Sequence, residues 1–230
     1  MIPIHDDNPT EKTPYVTYAL IALCVWTFFW ELSQVNRLEQ VFYSLGVVPA
    51  VLFGEVMLAP EIAVVPPWVS IFSSMFLHGS WMHLLSNMLY LWIFGNNVED
   101  AMGHGRFIIF YLLCGIAAAL FQVLPDTGST IPMIGASGAI SGVLGAYLLL
   151  YPHATVLVAV PLGFFFYTAR IPAGFVLVLW FLMQLLSSSF ANQAGGVAFG
   201  AHVGGFLAGM VLIPLFREKR HPLYFFGMRF

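Results

Sequence analysis

The chain has 230 residues, of which 60% are hydrophobic and only 8% charged, with a mean hydropathy of +0.86. Soluble domains carry about 25% charged residues, so water is not its main solvent, and a net charge of −3 gives no footing for a nucleic-acid partner. Cys24 and Cys114 stand apart in apolar runs, which excludes a disulfide framework and a thiolate metal site.

The opening stretch, residues 1–14, is polar and lacks the basic-then-apolar layout of a cleaved leader. It reads as a cytoplasmic segment, and insertion falls to the first apolar run. A membrane-crossing helix needs about 20 mostly apolar residues. Tyr15 to Leu32 is the first such run. From Ser33 to about Ser80 the chain stays apolar but is broken by Pro49, Pro60, Pro66 and Pro67. That pattern predicts an interfacial first loop, residues 33–80, with short helices lying on the membrane. Further spans follow at about Trp81 to Gly95, Arg106 to Leu124, Gly135 to Tyr151, Pro172 to Ser187 and about Gly196 to Phe216. Thr155 to Thr168 is also apolar, but Pro161 and Gly163 split it, so it is expected to be a surface-lying connector.

The expected fold class is therefore an all-α polytopic membrane protein, with a six-helix membrane domain over 15–216 and a basic cytoplasmic tail over 217–230. Charge sets its expected orientation. With six spans and both termini inside, Lys12, Arg106, Arg170, Arg217, Lys219, Arg220 and Arg229 fall inside and only Arg37 outside. This is a strong positive-inside bias. A seventh span through Thr155 to Thr168 would put the basic tail outside, against that rule.

Ionisable groups within spans cost a few kcal/mol and point to function. His83 and His202 lie within spans, accompanied by Asn87 and Ser137. In the six-span topology, spans two, four and six all run from outside to inside. His83, Ser137 and His202 each sit near the start of one of them, so three separate segments bring polar groups to a similar depth. His83 and Asn87, four residues apart, share a helix face. Ser137 lies in Gly135-Ala136-Ser137-Gly138, where a loop enters a helix. A helix N-terminus offers free N–H groups and a positive dipole end to a developing oxyanion. Seventeen residues make a span of only about 25 Å against a hydrocarbon core of about 30 Å, so its N-terminus can lie recessed beneath water.

Glycines along span four (Gly138, Gly142, Gly145) and span six (Gly200, Gly204, Gly205, Gly209) allow the two helices to approach closely. Such packing would bring the Ser137 hydroxyl within hydrogen-bond reach of His202, as a nucleophile and its base require. From Ala101 to Phe216 the only acid is Asp126, in a loop, which predicts a Ser–His dyad without a carboxylate. Each signal has an ordinary alternative. A lone membrane serine bonds its own backbone, a lone histidine packs or lines a pore, and His83 with Asn87 can be a helix–helix polar pair. No His-Glu-x-x-His motif is present, so no zinc site is expected. His5, His104, His153 and His221 receive no role.

Together the segments His78-Gly-Ser-Trp-Met-His83-Leu-Leu-Ser-Asn87, Gly135-Ala-Ser137-Gly138 and Gly200-Ala-His202-Val-Gly-Gly205 resemble those of the rhomboid intramembrane serine proteases. Glu99, Gly103 and Arg106-Phe107 match the pattern after that family's second span. The resemblance implies Ser137 as nucleophile and His202 as general base and acid. It implies an oxyanion hole made by His83, Asn87 and the Ser137 backbone N–H. It also implies transmembrane protein substrates cut near the outer membrane face beside small residues, after sideways entry near span five, with no cofactor. The expected location is multi-pass, in the plasma (inner) membrane of a prokaryote. Two departures stand out. Ser141 occupies the position where family members often carry an aromatic stacked on the base histidine, and the Trp-Arg pair of many first loops is missing. A catalytically silent relative that binds membrane helices is the leading alternative; a transporter would call for paired charges or an inverted repeat.

Overall fold

The computed structural model describes residues 1–162, 165–190, 198–225 and 228–229. A short strand β1 (Ile2–Asp6) leads into helix α1 (Tyr15–Ser33). The first loop carries three short helices, α2 (Leu38–Leu45), α3 (Pro49–Leu52) and α4 (Ser70–Ser73), and several single 3-10 turns. Then come α5 (Trp81–Met102), α6 (His104–Val123) and α7 (Ser137–Leu150). A hairpin of β2 (Thr155–Leu162) and β3 (Phe165–Pro172) precedes α8 (Ala173–Phe190) and α9 (Phe199–Phe216), and β4 (Tyr224–Phe225) pairs with β5 (Met228–Arg229).

Each expected span coincides with a helix, with shifted ends. The second extends from Gly95 to Met102, where Gly103, at φ 79°, stops it in a conformation that favours glycine. The start expected near Gly196 lies outside the described residues. Among the described residues, α1, α6 and α9 are long and apolar enough to cross a membrane, and α7 and α8 are shorter apolar helices. The protein is a mostly helical, multi-pass integral membrane protein.

The all-α expectation needs correction, because a small sheet is present. The described residues between Thr155 and Thr168, expected as a surface-lying connector, do join α7 to α8, but as strands β2 and β3, to which β1 adds antiparallel, giving the order β1-β2-β3. The β-branched run Thr-Val-Leu-Val-Ala-Val favours a strand, and the alternate side chains of Val156 and Val158 are buried in the core. The segment 1–14 supplies β1. Tyr147 on α7 donates its hydroxyl proton to the Asp6 carboxylate at 2.7 Å, and burial raises the Asp6 carboxyl above its ordinary range.

One end of the bundle gathers the termini. Glu99, near the end of α5, accepts the backbone N–H groups of Val16 and Thr17 and the Thr17 hydroxyl, capping the start of α1. Asp100 accepts the N–H groups of Glu11 and Lys12, and the Glu218 N–H, just beyond α9, donates to the Ala101 carbonyl. Tyr151, ending α7, bonds His221 through its hydroxyl at 3.1 Å. The C-terminal ends of α5, α7 and α9 therefore lie together, and their N-terminal ends meet at the opposite side. With 22 and 18 residues, α5 and α9 are about 33 and 27 Å long, whereas α7, with 14, reaches only about 21 Å. The first residue of α7 is consequently sunk below the starts of its neighbours.

Candidate functional site

Ser137 opens α7 at that recess. The preceding Gly135 has φ 122°, a conformation that L side chains rarely adopt, and its N–H donates to the Ser74 carbonyl at 2.8 Å. A methyl group there would stand 2.6 Å from His83 Nε2 and 3.7 Å from Ser137 Oγ, so His83 and Ser137 face one another across this glycine. Ser137 and Gly138 also line a small cleft with Met75, Gly115, Ala118 and Ala201, which has room for about one water molecule.

Helix α9 lies directly against α7. A Cβ on Gly205 would overlap the Gly138 carbonyl, one on Gly209 would overlap the Gly142 carbonyl, and one on Gly145 would overlap the Phe206 carbonyl. The expected close approach is thus real and reciprocal. Gly200 and Gly204 serve a different contact, against Gln122 and Phe121 of α6. Gln122 accepts the Ala201 N–H at 3.0 Å and so holds the first turn of α9.

This packing sets Ala201, the residue before His202, against Gly138; among the described residues no hydrogen bond joins Ser137 Oγ to His202. Such bonds commonly tighten only once substrate is bound. Asn87 is 6% exposed, and its Nδ2 has no hydrogen-bond partner among the described residues. A buried, unsatisfied amide donor costs about 1–3 kcal/mol, which suits a group awaiting an acceptor.

Three elements of the site were not read from the sequence. The first is what holds His202. The Ser141 hydroxyl is engaged elsewhere, donating to the Ser137 carbonyl at 2.6 Å. The ring instead lies 5.9 Å from Trp180 on α8, tilted 33°, with Phe199 edge-on at 6.2 Å, and its Nδ1 is 2.8 Å from Gln184 Oε1. The second is Glu31, an acid inside the first apolar run and only 1% exposed, whose two oxygens accept the His78 N–H at 3.1 and 3.2 Å. An acid within a predicted span was the available signal.

The third is a set of backbone bonds tying the first loop to the segment before Ser137. Val47 and Met133 exchange a pair at 2.8 and 3.0 Å, and the Ala50 N–H donates to Ser129. These contacts and Glu31 hold the loop that lacks the Trp-Arg pair. His78 itself is buried in the loop entering α5. Its Nδ1 lies 3.1 Å from the Phe76 carbonyl and its ring meets His83 at 5.1 Å, edge to face. Burial, and after it the nearby His83, lowers the His78 imidazole to about 4, so it is neutral at physiological pH. Among the described residues, no group of His, Cys, Asp and Glu side chains could hold a metal ion.

A fold of apolar helices with a serine and a histidine flanking a glycine at one helix start defines a class of membrane protein, and comparison with known proteins identifies the family. The family model for the Rhomboid domain matches residues 66–219, and the chain belongs to the rhomboid family. It is 28% identical over 201 residues to Rhomboid protein 1, mitochondrial, of Saccharomyces cerevisiae, covering 85% of this chain and 51% of that protein. It is 33% identical over 141 residues to RHOMBOID-like protein 5 of Arabidopsis thaliana, covering 61% and 41%. To Rhomboid protease GluP of Bacillus subtilis it is 36% identical over 137 residues, covering 59% and 24%. The chain thus spans about half or less of the length of these relatives.

Proposed function

We propose that this protein is an intramembrane serine endopeptidase that cuts transmembrane protein substrates by a Ser137–His202 dyad. The observations that support the reading are His83 and Ser137 flanking Gly135 at the start of α7, and the close packing on α7 of α9, the helix that bears His202. The family supports it through a relative named a protease, GluP.

In this reading Ser137 Oγ attacks the scissile carbonyl as His202 Nε2 takes its proton, and His202 then gives that proton to the leaving amine. The oxyanion accepts hydrogen bonds from the Ser137 backbone N–H, Asn87 Nδ2 and His83 Nε2–H, with the α7 dipole adding its positive end. Water in the adjacent cleft then hydrolyses the acyl-enzyme. No cofactor is needed. Six spans, α1 and α5 to α9, with both termini inside, put the site toward the outer face, where a substrate helix would be cut. The plasma membrane of a prokaryote remains our expected location; the relatives include proteins named mitochondrial and chloroplastic beside the bacterial one.

The test is cleavage of a single-span reporter by purified protein in detergent. Ser137→Ala and His202→Ala should each abolish cleavage with unchanged melting temperature, and wild type alone should take up a fluorophosphonate. Full activity in Ser137→Ala would overturn the proposal, and an inert wild type that refuses the label would favour a silent helix-binding relative.

A further inference from the structure

We infer that Gln184 is a positioning residue for His202, fixing the imidazole with its proton on Nδ1 so that Nε2 faces Ser137 unprotonated; this rests on the dyad reading above. Gln184 lies in the middle of α8, and its Oε1 stands 2.8 Å from His202 Nδ1. A carbonyl oxygen only accepts, so the ring nitrogen it faces must carry the hydrogen. A neutral imidazole with its proton on Nδ1 has its lone pair on Nε2, the form that a general base for serine requires. Trp180, one turn earlier on the same helix, flanks the ring at 5.9 Å, so α8 supplies both a wall for the ring and an anchor for its far nitrogen.

Soluble serine hydrolases give this task to a buried carboxylate. In a bundle surrounded by hydrocarbon a carboxylate is costly to insert, and an amide offers the same directed acceptor without charge. The charge is not made up elsewhere. The chain has no acid on α8 or α9, and among the described residues the titratable side chain acting electrostatically on His202 is His83 on α5. The amide therefore orients and selects the tautomer, but does little to stabilise the imidazolium formed during the reaction.

The experiment uses the full chain in detergent with the single-span reporter, reading kcat, KM and the pH profile. Gln184→Leu should lower kcat about 10- to 100-fold with KM within about threefold, because orientation and not binding is lost. Gln184→Glu restores an acceptor and adds charge. It should recover most of the turnover and move the acidic limb of kcat/KM to higher pH, which a merely structural contact would not do. Independently of any variant, nitrogen-15 spectra of histidine-labelled wild type should show His202 protonated on Nδ1. A fully active Gln184→Leu with unchanged pH profile, or a His202 protonated on Nε2, would overturn the inference. An active Ser137→Ala would instead overturn the dyad, so the two failures are distinct.

Discussion

Gly205 is where packing and chemistry can be tested with one methyl group. In the structure a Cβ at this position would overlap the Gly138 carbonyl oxygen, lie 2.9 Å from its carbon and 3.4 Å from Ala118 Cβ. Non-bonded carbons rest at about 3.5–4.0 Å, and the obstructing atoms are backbone on a neighbouring helix, which cannot rotate away. Gly205→Ala must therefore push α9 from α7 by about 1 Å. Overpacking of this kind costs about 1–3 kcal/mol, which for a chain of this size lowers Tm by about 2–12 °C.

His202 is one turn earlier on the same helix, so the displacement reaches the site. A misplacement of about 1 Å can cost roughly 100-fold in rate. The assay pairs thermal unfolding by intrinsic fluorescence in detergent with reporter cleavage at temperatures where the variant is folded. Gly105→Ala is the control. It lies in the first turn of α6 with nothing within 4 Å of an added Cβ, and its Tm should stay within about 2–4 °C of wild type. Wild-type Tm and turnover in Gly205→Ala would refute the claim that glycine is what brings the two helices together.

Two further changes probe the rest of the site. Asn87→Ala should lower turnover roughly 10- to 1000-fold without lowering Tm, since it removes an amide that has no partner at rest; unchanged turnover would remove Asn87 from the oxyanion hole. Glu31→Ala should leave the buried His78 N–H without an acceptor, cost about 1–3 kcal/mol, and speed amide exchange over residues 74–80. Unaltered protection there would show that Glu31 does not hold the first loop.

The contrast between Glu31 and Gln184 shows which kind of information the sequence carried. Both are polar residues in apolar runs. An acid inside a predicted span is conspicuous by its insertion cost alone, whereas a glutamine in α8 is cheap enough to pass as ordinary. Its meaning depends on α8 lying beside α9, a contact between residues 18 apart in the chain. The β2–β3 hairpin was hidden for another reason. In a chain this apolar, hydrophobicity no longer separates lipid-facing from core-facing segments, and the β-branched alternation of Thr155–Leu162 was outweighed by the pattern around it.

What the sequence by itself determined was the solvent, the helical segments and the identity of the polar residues the bilayer would penalise. Hydrocarbon length and charge cost act on local composition, so they can be read one segment at a time. Tertiary structure decided how deep Ser137 lies, which glycine opposes which carbonyl, and what holds His202. These depend on helix ends and on contacts between distant segments. Local composition leaves those contacts open, and close packing selects among them.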